Sequence, residues 1–210
     1  MKRWLLIILL GTFTSLSSQA EPLFKKGVNY IIVKQVSTEN PQLMEFFSYF
    51  CPHCYQFEPI TEYLKSKIPA GTEFKRVPLA LLGGPSGPLL QHAFAVAQLL
   101  GVTEKMTPVL FNSIQLEHKN LSDESDIKKL FVANEVNGEL FDQAWSNLQV
   151  EGMINQYNQL IKSYKVYGVP EFIINGKYQI CLQKLRGSNA RQKVDYLSRL
   201  INYLLIKKNH

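Results

Sequence analysis

The chain has 210 residues, 46% of them hydrophobic, and a formal net charge of +6 at pH 7. This length fits one domain, or one domain with an insertion, and is enough to bury a core without disulfide staples. The basic residues are scattered in small clusters rather than concentrated beside aromatic residues, so the composition argues against nucleic-acid binding.

The first twenty residues have the pattern of a secretory signal peptide. Lys2 and Arg3 precede an apolar stretch over residues 4–10, and Ser18-Gln19-Ala20 ends the segment with small residues at its outer positions. A membrane anchor is the alternative, but the apolar stretch is well short of the ~20 residues that a spanning helix needs. We predict a signal peptide over residues 1–20 that is cleaved after Ala20, and an exported mature chain.

The mature chain is predicted to begin with a short strand, followed by a buried strand and the helix after it. Residues 42–50, QLMEFFSYF, form a near-continuous apolar and aromatic run, which is typical of a buried strand. Pro52 suits the first turn of a helix, where its missing N–H has no partner to lose. Cys51 therefore lies at or next to the helix N-cap. Residues 71–82 are predicted to form the next strand.

Helical patterns dominate from residue 89 to about residue 160, after the break GGPSGP. Two short apolar runs then flank Asn175-Gly176, the strongest short-range signal of a β-hairpin, and an amphipathic helix closes the chain. This order predicts an α/β, thioredoxin-like fold with a helical insertion domain. We assign residues 21–83 and 161–210 to the thioredoxin-like domain and residues 84–160 to the inserted helical domain.

Cys51 and Cys54 are spaced as Cys-Pro-His-Cys, and three explanations compete for them. A bridge across two intervening residues closes too small a loop to stabilise a fold strongly. A zinc site needs four ligands, and the chain contains neither a second such motif nor a spaced histidine pair. Covalent haem attachment requires histidine at the position of Tyr55. A redox role is therefore predicted, without metal or cofactor.

The position of Cys51 favours its thiolate, which is the species that attacks disulfides. A helix N-terminus stabilises an anion by about 0.3–1 kcal/mol, which is less than one pKa unit. A larger shift requires hydrogen bonds to the sulfur, from backbone N–H groups or the Cys54 thiol, and a nearby cation such as protonated His53.

The segment FFSYFCPHCYQFEP closely resembles the active-site segment of the DsbA family of exported thiol oxidases. GVPEFIINGKYQ and the helical middle of the chain extend the resemblance to nearly all of the mature chain. Pro52 and His53 belong to the shared motif. The resemblance implies that Pro170 is a cis proline that faces the cysteine pair and presents backbone groups to substrate. It also implies that Val169 tunes redox behaviour.

Glu45 is an acid within the apolar strand, where it is costly unless paired or protonated. It either pairs with a basic residue of the next strand or accepts a proton from Cys54, as the resemblance implies, and the two are compatible. Alignment with the family favours Arg76 as the basic partner, and a one-residue slip would place Lys75 there. Glu58 also matches a family position, but we expect an exposed helix charge.

Cys181 is a departure from the family pattern. It lies on the second arm of the predicted hairpin, where a small buried apolar residue is expected. An intermolecular or regulatory disulfide is the alternative. His92 and His118 are expected at the surface or at its boundary, without a role.

We predict a periplasmic protein-dithiol oxidase that donates its Cys51–Cys54 disulfide to reduced exported proteins. The resemblance implies reoxidation by a membrane quinone-linked oxidase of the DsbB type, and a monomer is expected. A disulfide isomerase or reductase, which would keep the pair reduced, is the first alternative. The family's isomerases carry a separate dimerisation domain, whereas only about twenty residues precede the first strand here. A non-catalytic peptide-binding chaperone is the second alternative, and the intact cysteine pair argues against it.

Overall fold

The computed structural model describes residues 24–207. The predicted signal peptide and its cleavage site lie outside the described residues. The strands are β1 (Tyr30–Ile32), β2 (Gln42–Phe47), β3 (Glu73–Pro78), β4 (Glu171–Ile174) and β5 (Tyr178–Ile180). The helices are α1 (Pro52–Lys65), α2 (Ser86–Leu99), α3 (Thr103–Gln115), α4 (Glu124–Ala133), α5 (Gly138–Trp145), α6 (Leu148–Tyr164) and α7 (Ala190–Ile206), with a 3₁₀ turn at Leu182–Lys184. None of these helices is long and apolar enough to cross a lipid bilayer.

The strands form one mixed sheet in the order β1-β5-β4-β2-β3. β2 and β3 are parallel and are connected by the crossover helix α1, whereas the other neighbouring strands pair antiparallel. A βαβ unit and a terminal ββα unit thus share the sheet, with five helices between them in the chain. The predicted α/β, thioredoxin-like fold is confirmed.

The β4–β5 hairpin turns at Asn175-Gly176, as predicted. Both residues have positive φ, 51° and 61°, which a tight two-residue hairpin turn requires and which Asn and Gly tolerate best. The Asn175 side chain also accepts a hydrogen bond from the Gln42 N–H at 3.0 Å. Its amide group donates to the carbonyls of Leu204 and Leu205, each at 3.1 Å. One turn residue therefore connects the hairpin, β2 and α7.

Two buried apolar clusters stabilise the sheet. One includes Phe46 and Phe94 and extends through helices α2 to α6, while the other includes Phe172 and Leu200 and joins the sheet to α7. Helix α6 continues without interruption past the predicted domain boundary at residue 160. The assignment of a separate helical insertion domain stays a prediction.

The loop after β3 begins earlier than expected. The sequence predicts a strand over residues 71–82, but β3 ends at Pro78, and the N–H of the next residue, Leu79, makes the last bond to β2 by donating to the Phe47 carbonyl at 2.7 Å. Gly83 then passes over the ring of Phe50, and a Cβ at this glycine would lie only 2.2 Å from that ring. Close backbone approach therefore requires glycine here, beside the cysteine pair.

Candidate active site

Cys51 is the N-cap of α1, as the sequence predicts. Its backbone is extended, and its sulfur accepts a hydrogen bond from the Cys54 N–H at 3.3 Å. Pro52 occupies the first helical turn, where it sacrifices no hydrogen bond. Cys51 is 6% exposed and Cys54 is fully buried, so only the first cysteine keeps any contact with solvent. Both are free thiols, which is the reduced form of the pair.

The loop before β4 contacts the Cys51 sulfur. The Val169–Pro170 peptide bond is cis, which confirms that prediction. The Cys51 sulfur lies 3.4 Å from the Val169 carbonyl oxygen, to which it donates when it is protonated. The antiparallel pairing of β2 with β4 brings these distant segments together at one end of the sheet.

The environment of the pair separates the acidities of the two thiols. The pKa of Cys51 is lowered from 9.0 to about 6 as the net result of several effects, of which a hydrogen bond from the Cys54 thiol is the largest and burial is the one that opposes the shift. The backbone N–H groups of Cys54 and His53, and the charge of His53, contribute to the same lowering. The same thiol–thiol hydrogen bond is the largest cause that raises the pKa of Cys54, and burial adds to it. Cys51 is therefore the thiolate of the reduced pair.

Glu45 pairs with Arg76, which resolves the choice between Arg76 and Lys75. The parallel register places Glu45 beside Arg76, with the Arg76 Nε 2.8 Å from a Glu45 carboxylate oxygen. The Thr61 hydroxyl donates to the other oxygen at 3.0 Å. Burial raises the pKa of this fully buried acid, while the Arg76 charge opposes the shift. The predicted proton transfer from Cys54 stays a prediction.

Glu58 is not an exposed helix charge, so that expectation is wrong. Both of its carboxylate oxygens accept hydrogen bonds from the guanidinium of Arg76, and its side chain is only 17% exposed. Arg76 also lies over the ring of Phe47, with its guanidinium carbon 4.2 Å from the ring centroid. The Arg76 guanidinium thus connects the fully buried Glu45 to the partly buried Glu58. The sequence contains both acids but does not show that one arginine joins them.

An apolar groove of about 600 Å³ opens beside the cysteine pair. His53, Val169 and Pro170 lie at the end of this groove nearest Cys51, and Lys193 is its one lysine or arginine. Its apolar side chains come from α1, the 3₁₀ turn region and α7: Phe57, Ile60, Leu182, Leu185, Val194 and Leu197. Sequence reasoning missed the groove, because its walls come from segments more than 100 residues apart and carry no motif.

Two side chains of α3 support the segment that carries the cysteines. The Gln115 amide donates to the Tyr49 carbonyl at 2.7 Å, and the Tyr55 hydroxyl donates to the Asn112 side chain at 3.0 Å. These bonds connect the helical segment to the cysteine pair on both sides. They hold the end of β2 and the start of α1 in place.

Glu171 directly follows the cis proline and was also missed. Its side chain is half-buried, and one buried carboxyl oxygen has no hydrogen-bond partner among residues 24–207. Burial raises the pKa of Glu171 to about 7. This acid lies on β4 opposite Phe46, so a neutral carboxyl is favoured in an apolar setting.

Cys181 and the two histidines lie outside the cysteine pair and its groove lining. Cys181 follows β5 and is half-buried rather than buried, which corrects the expectation of a core position. His92 is partly buried and stacks on Trp145, with its Nε2 2.9 Å from the Trp145 carbonyl. His118 is exposed. Neither histidine contributes to the pair.

A dithiol at a helix N-terminus, opposed by the Val169 carbonyl that precedes a cis proline, within a thioredoxin-like fold, defines a thiol:disulfide oxidoreductase. The comparisons with known proteins agree. The family model described as a DSBA-like thioredoxin domain matches residues 42–196. The chain belongs to this DsbA-like family.

The similarity extends over the whole chain. The thiol:disulfide interchange protein DsbA of Salmonella typhimurium is 36% identical, and that of Escherichia coli K12 is 34% identical, each over 99% of both chains. The structure of Proteus mirabilis DsbA with a non-covalently bound peptide matches with a TM-score of 0.82 and 29% identity, over 88% of this chain and 99% of that one. Klebsiella pneumoniae DsbA matches with a TM-score of 0.80 and 28% identity, over 88% and 98% of the two chains.

Proposed function

We propose that this oxidoreductase is an exported protein-dithiol oxidase that donates the Cys51–Cys54 disulfide to folding proteins. The observation that carries the proposal is the low pKa of Cys51, about 6, beside the raised pKa of Cys54. A low pKa makes Cys51 a good leaving group and stabilises the reduced form of the pair. Stabilisation of the reduced form makes the cysteine pair a stronger oxidant, because the reduced enzyme is a product of each turnover.

The first step is attack of a substrate thiolate on the Cys51 sulfur. Cys51 is the more exposed sulfur of the pair, whereas Cys54 is fully buried. A bond forms between the substrate sulfur and Cys51, and the Cys51–Cys54 bond breaks with its electron pair going to Cys54. The raised pKa of Cys54 then favours its protonation. Glu45, whose charge also raises this pKa, is the proposed group that exchanges protons with Cys54.

In the second step another substrate thiolate attacks the substrate sulfur of the mixed disulfide. The Cys51–substrate bond breaks, and Cys51 leaves as a thiolate. The N–H groups of His53 and Cys54 and the Cys54 thiol stabilise that thiolate. Two electrons pass from the substrate dithiol to the cysteine pair, so the substrate gains a disulfide and the enzyme becomes a dithiol.

The groove is the proposed site for the substrate residues that flank the reacting cysteine. It begins at His53 and the cis-proline loop and is lined mainly by apolar side chains. The Proteus mirabilis relative is described with the non-covalently bound peptide PWATCDS, which contains a single cysteine. Apolar side chains of an unfolded segment would gain by burial in such a groove.

Refolding of a reduced protein with several cysteines tests the oxidase function. Net loss of substrate thiols, matched by reduction of the Cys51–Cys54 pair, supports the oxidase. Activity only on scrambled disulfides would instead identify an isomerase, and binding without either activity would identify a chaperone.

Cys54→Ala should accumulate mixed disulfides with substrate through Cys51, whereas Cys51→Ala should not. Cys181→Ala is the matched control and should oxidise substrate like the unmodified chain.

We also propose that the protein acts in the periplasm as a monomer and is reoxidised there by a membrane quinone-linked oxidase of the DsbB type. The DsbA names of its relatives support this setting. Mass spectrometry of the exported protein should find Glu21 as its first residue. Membranes that contain such an oxidase and quinone should restore the disulfide of the reduced protein, and membranes that lack the oxidase should not. A mature chain that keeps residues 1–20 would contradict the export proposal.

A further inference from the structure

The chain segments around one side of the groove carry basic residues and no acidic ones. Lys193 lines the groove, and Lys184, Arg186 and Arg191 each lie directly next to a lining residue in the chain; all four side chains are exposed and are called the basic rim. No acidic residue occurs from residue 172 to residue 194. Lys193 lines the groove itself, together with His53. The rim therefore presents positive charge beside an apolar floor.

These four basic side chains differ in their pairing from several other lysines of the described region. Five lysines elsewhere are paired with acidic neighbours: Lys65, Lys105, Lys119, Lys128 and Lys129 each lie within 3.4 Å of a carboxylate oxygen. Over residues 24–207 none of the four rim residues forms an ion pair. The next acid along the chain, Asp195, accepts a hydrogen bond from the Tyr63 hydroxyl at 3.2 Å. The rim charges thus remain available to a bound molecule.

The position of the groove relative to Cys51 limits what can occupy it. His53 and the cis-proline loop form its end nearest the reacting sulfur, and Lys193 lines it along with the apolar side chains of α7. An extended peptide advances about 3.3 Å per residue. A substrate whose cysteine reacts with Cys51 therefore places its next few residues along the groove and within reach of the basic rim.

We propose that the groove prefers substrate segments that carry acidic residues within a few positions of the reacting cysteine, beside apolar residues for the groove floor. This proposal rests on the proposed oxidase function and names its substrate class. A carboxylate would meet unpaired cations, whereas a lysine at the same position would be repelled by them. Exposed ion pairs contribute at most about a fivefold effect each. Several rim charges acting together give an expected preference of about tenfold.

The test uses three reduced peptides, each with two cysteines and the same apolar residues. They differ only at two positions beside the first cysteine, which carry Glu, Gln or Lys. The rate constant for oxidation by the disulfide form of the full mature protein is measured at low and at high salt. At low salt we expect the Glu peptide to react about tenfold faster than the Gln peptide and the Lys peptide to react slowest. The difference should shrink in about 1 M salt, where charges are screened beyond about 3 Å.

Variants then locate the source of the preference. Lys193→Glu should reduce or invert the Glu-to-Gln rate ratio, and Lys193→Gln should reduce it without inverting it. Lys129→Glu makes the same charge change on α4, outside the groove lining, and should leave the ratio unchanged. The ratio is compared within each variant, so a general change in Cys51 reactivity cancels. Thermal melts of each variant show that it is folded.

The possible outcomes separate this inference from the oxidase proposal. Equal rates for the Glu, Gln and Lys peptides would overturn the acidic preference while leaving the oxidase intact. Oxidation of none of the peptides would contradict the oxidase proposal itself. Equal peptide rates together with salt-sensitive binding to vesicles containing anionic lipid would assign the basic rim to a membrane surface and also overturn the inference.

Discussion

The low pKa of Cys51 predicts that the stability of the reduced protein depends on pH. A thiol whose folded pKa is depressed contributes stability that is complete above its unfolded pKa, 9.0, and is lost as pH falls through the folded pKa, about 6. The oxidised protein has no thiolate at this position and lacks the contribution. The difference in unfolding free energy between the reduced and oxidised forms should therefore increase as pH rises from 6 to 8.

The expected size of this increase follows from the two pKa values. Since one pKa unit corresponds to about 1.4 kcal/mol, the contribution is about 0.4 kcal/mol at pH 6 and about 2.7 kcal/mol at pH 8. Partial screening by solvent at the mouth of the site lowers the expected increase to about 1–2 kcal/mol. The disulfide stabilises the oxidised protein by restricting its unfolded chain, and because this effect does not vary with pH, it cancels from the comparison between pH values. Cys54 stays protonated in this range, because its pKa is raised.

Urea unfolding of both redox forms at pH 6, 7 and 8, followed by fluorescence or circular dichroism, measures this difference. Reduced Cys51→Ser is the control and should lose the pH-dependent increase, since it has no thiol to ionise at this position. His53→Ala should weaken the increase, because it removes a positive charge that favours the Cys51 thiolate. A difference between the redox forms that stays flat from pH 6 to pH 8 would refute the stabilised thiolate and with it the main support for the oxidase.

Three further predictions concern groups around the cysteine pair. Arg76→Ala leaves Glu45 buried without its cation and should lower the unfolding free energy by about 3 kcal/mol. The control Lys75→Ala should change the unfolding free energy by less than about 0.5 kcal/mol. Equal effects of the two variants in urea unfolding would contradict the assigned pairing. Glu171 has a folded pKa of about 7, above its ordinary 4.5, so the wild-type protein should lose stability as pH rises through this range. Glu171→Gln cannot ionise, so its unfolding free energy relative to that of the wild type should rise by about 1 kcal/mol from pH 5 to pH 8, after allowance for solvent at this half-buried site. A difference between the two proteins that stays constant over this range would argue against a neutral Glu171. Cys181→Ala should cost about 1 kcal/mol or less and leave oxidase activity unchanged; loss of a native dimer on gel filtration would instead make Cys181 an intersubunit link.

The local features of this protein were determined by short stretches of sequence. The N-cap position of Cys51 follows from a proline suited to the first helical turn, placed shortly after a buried strand, although that strand ends at Phe47 rather than at residue 50 as predicted. The hairpin at Asn175-Gly176 follows from the two residue types that tolerate positive φ. Each of these signals acts within a few residues, so the sequence is sufficient to predict it. The cis form of Pro170 came from the family resemblance rather than from local chemistry.

Contacts between distant segments were decided only by the tertiary structure. The pairing of Glu45 with Arg76 rather than Lys75 depends on the register of β2 and β3, and a slip of one residue would reverse it. The ion pair of Glu58 depends on how α1 packs over that register. The groove exists because α1, the cis-proline loop and the start of α7 converge beside Cys51. Such arrangements are set by packing among segments far apart in the chain, and periodicity within one segment carries no information about them.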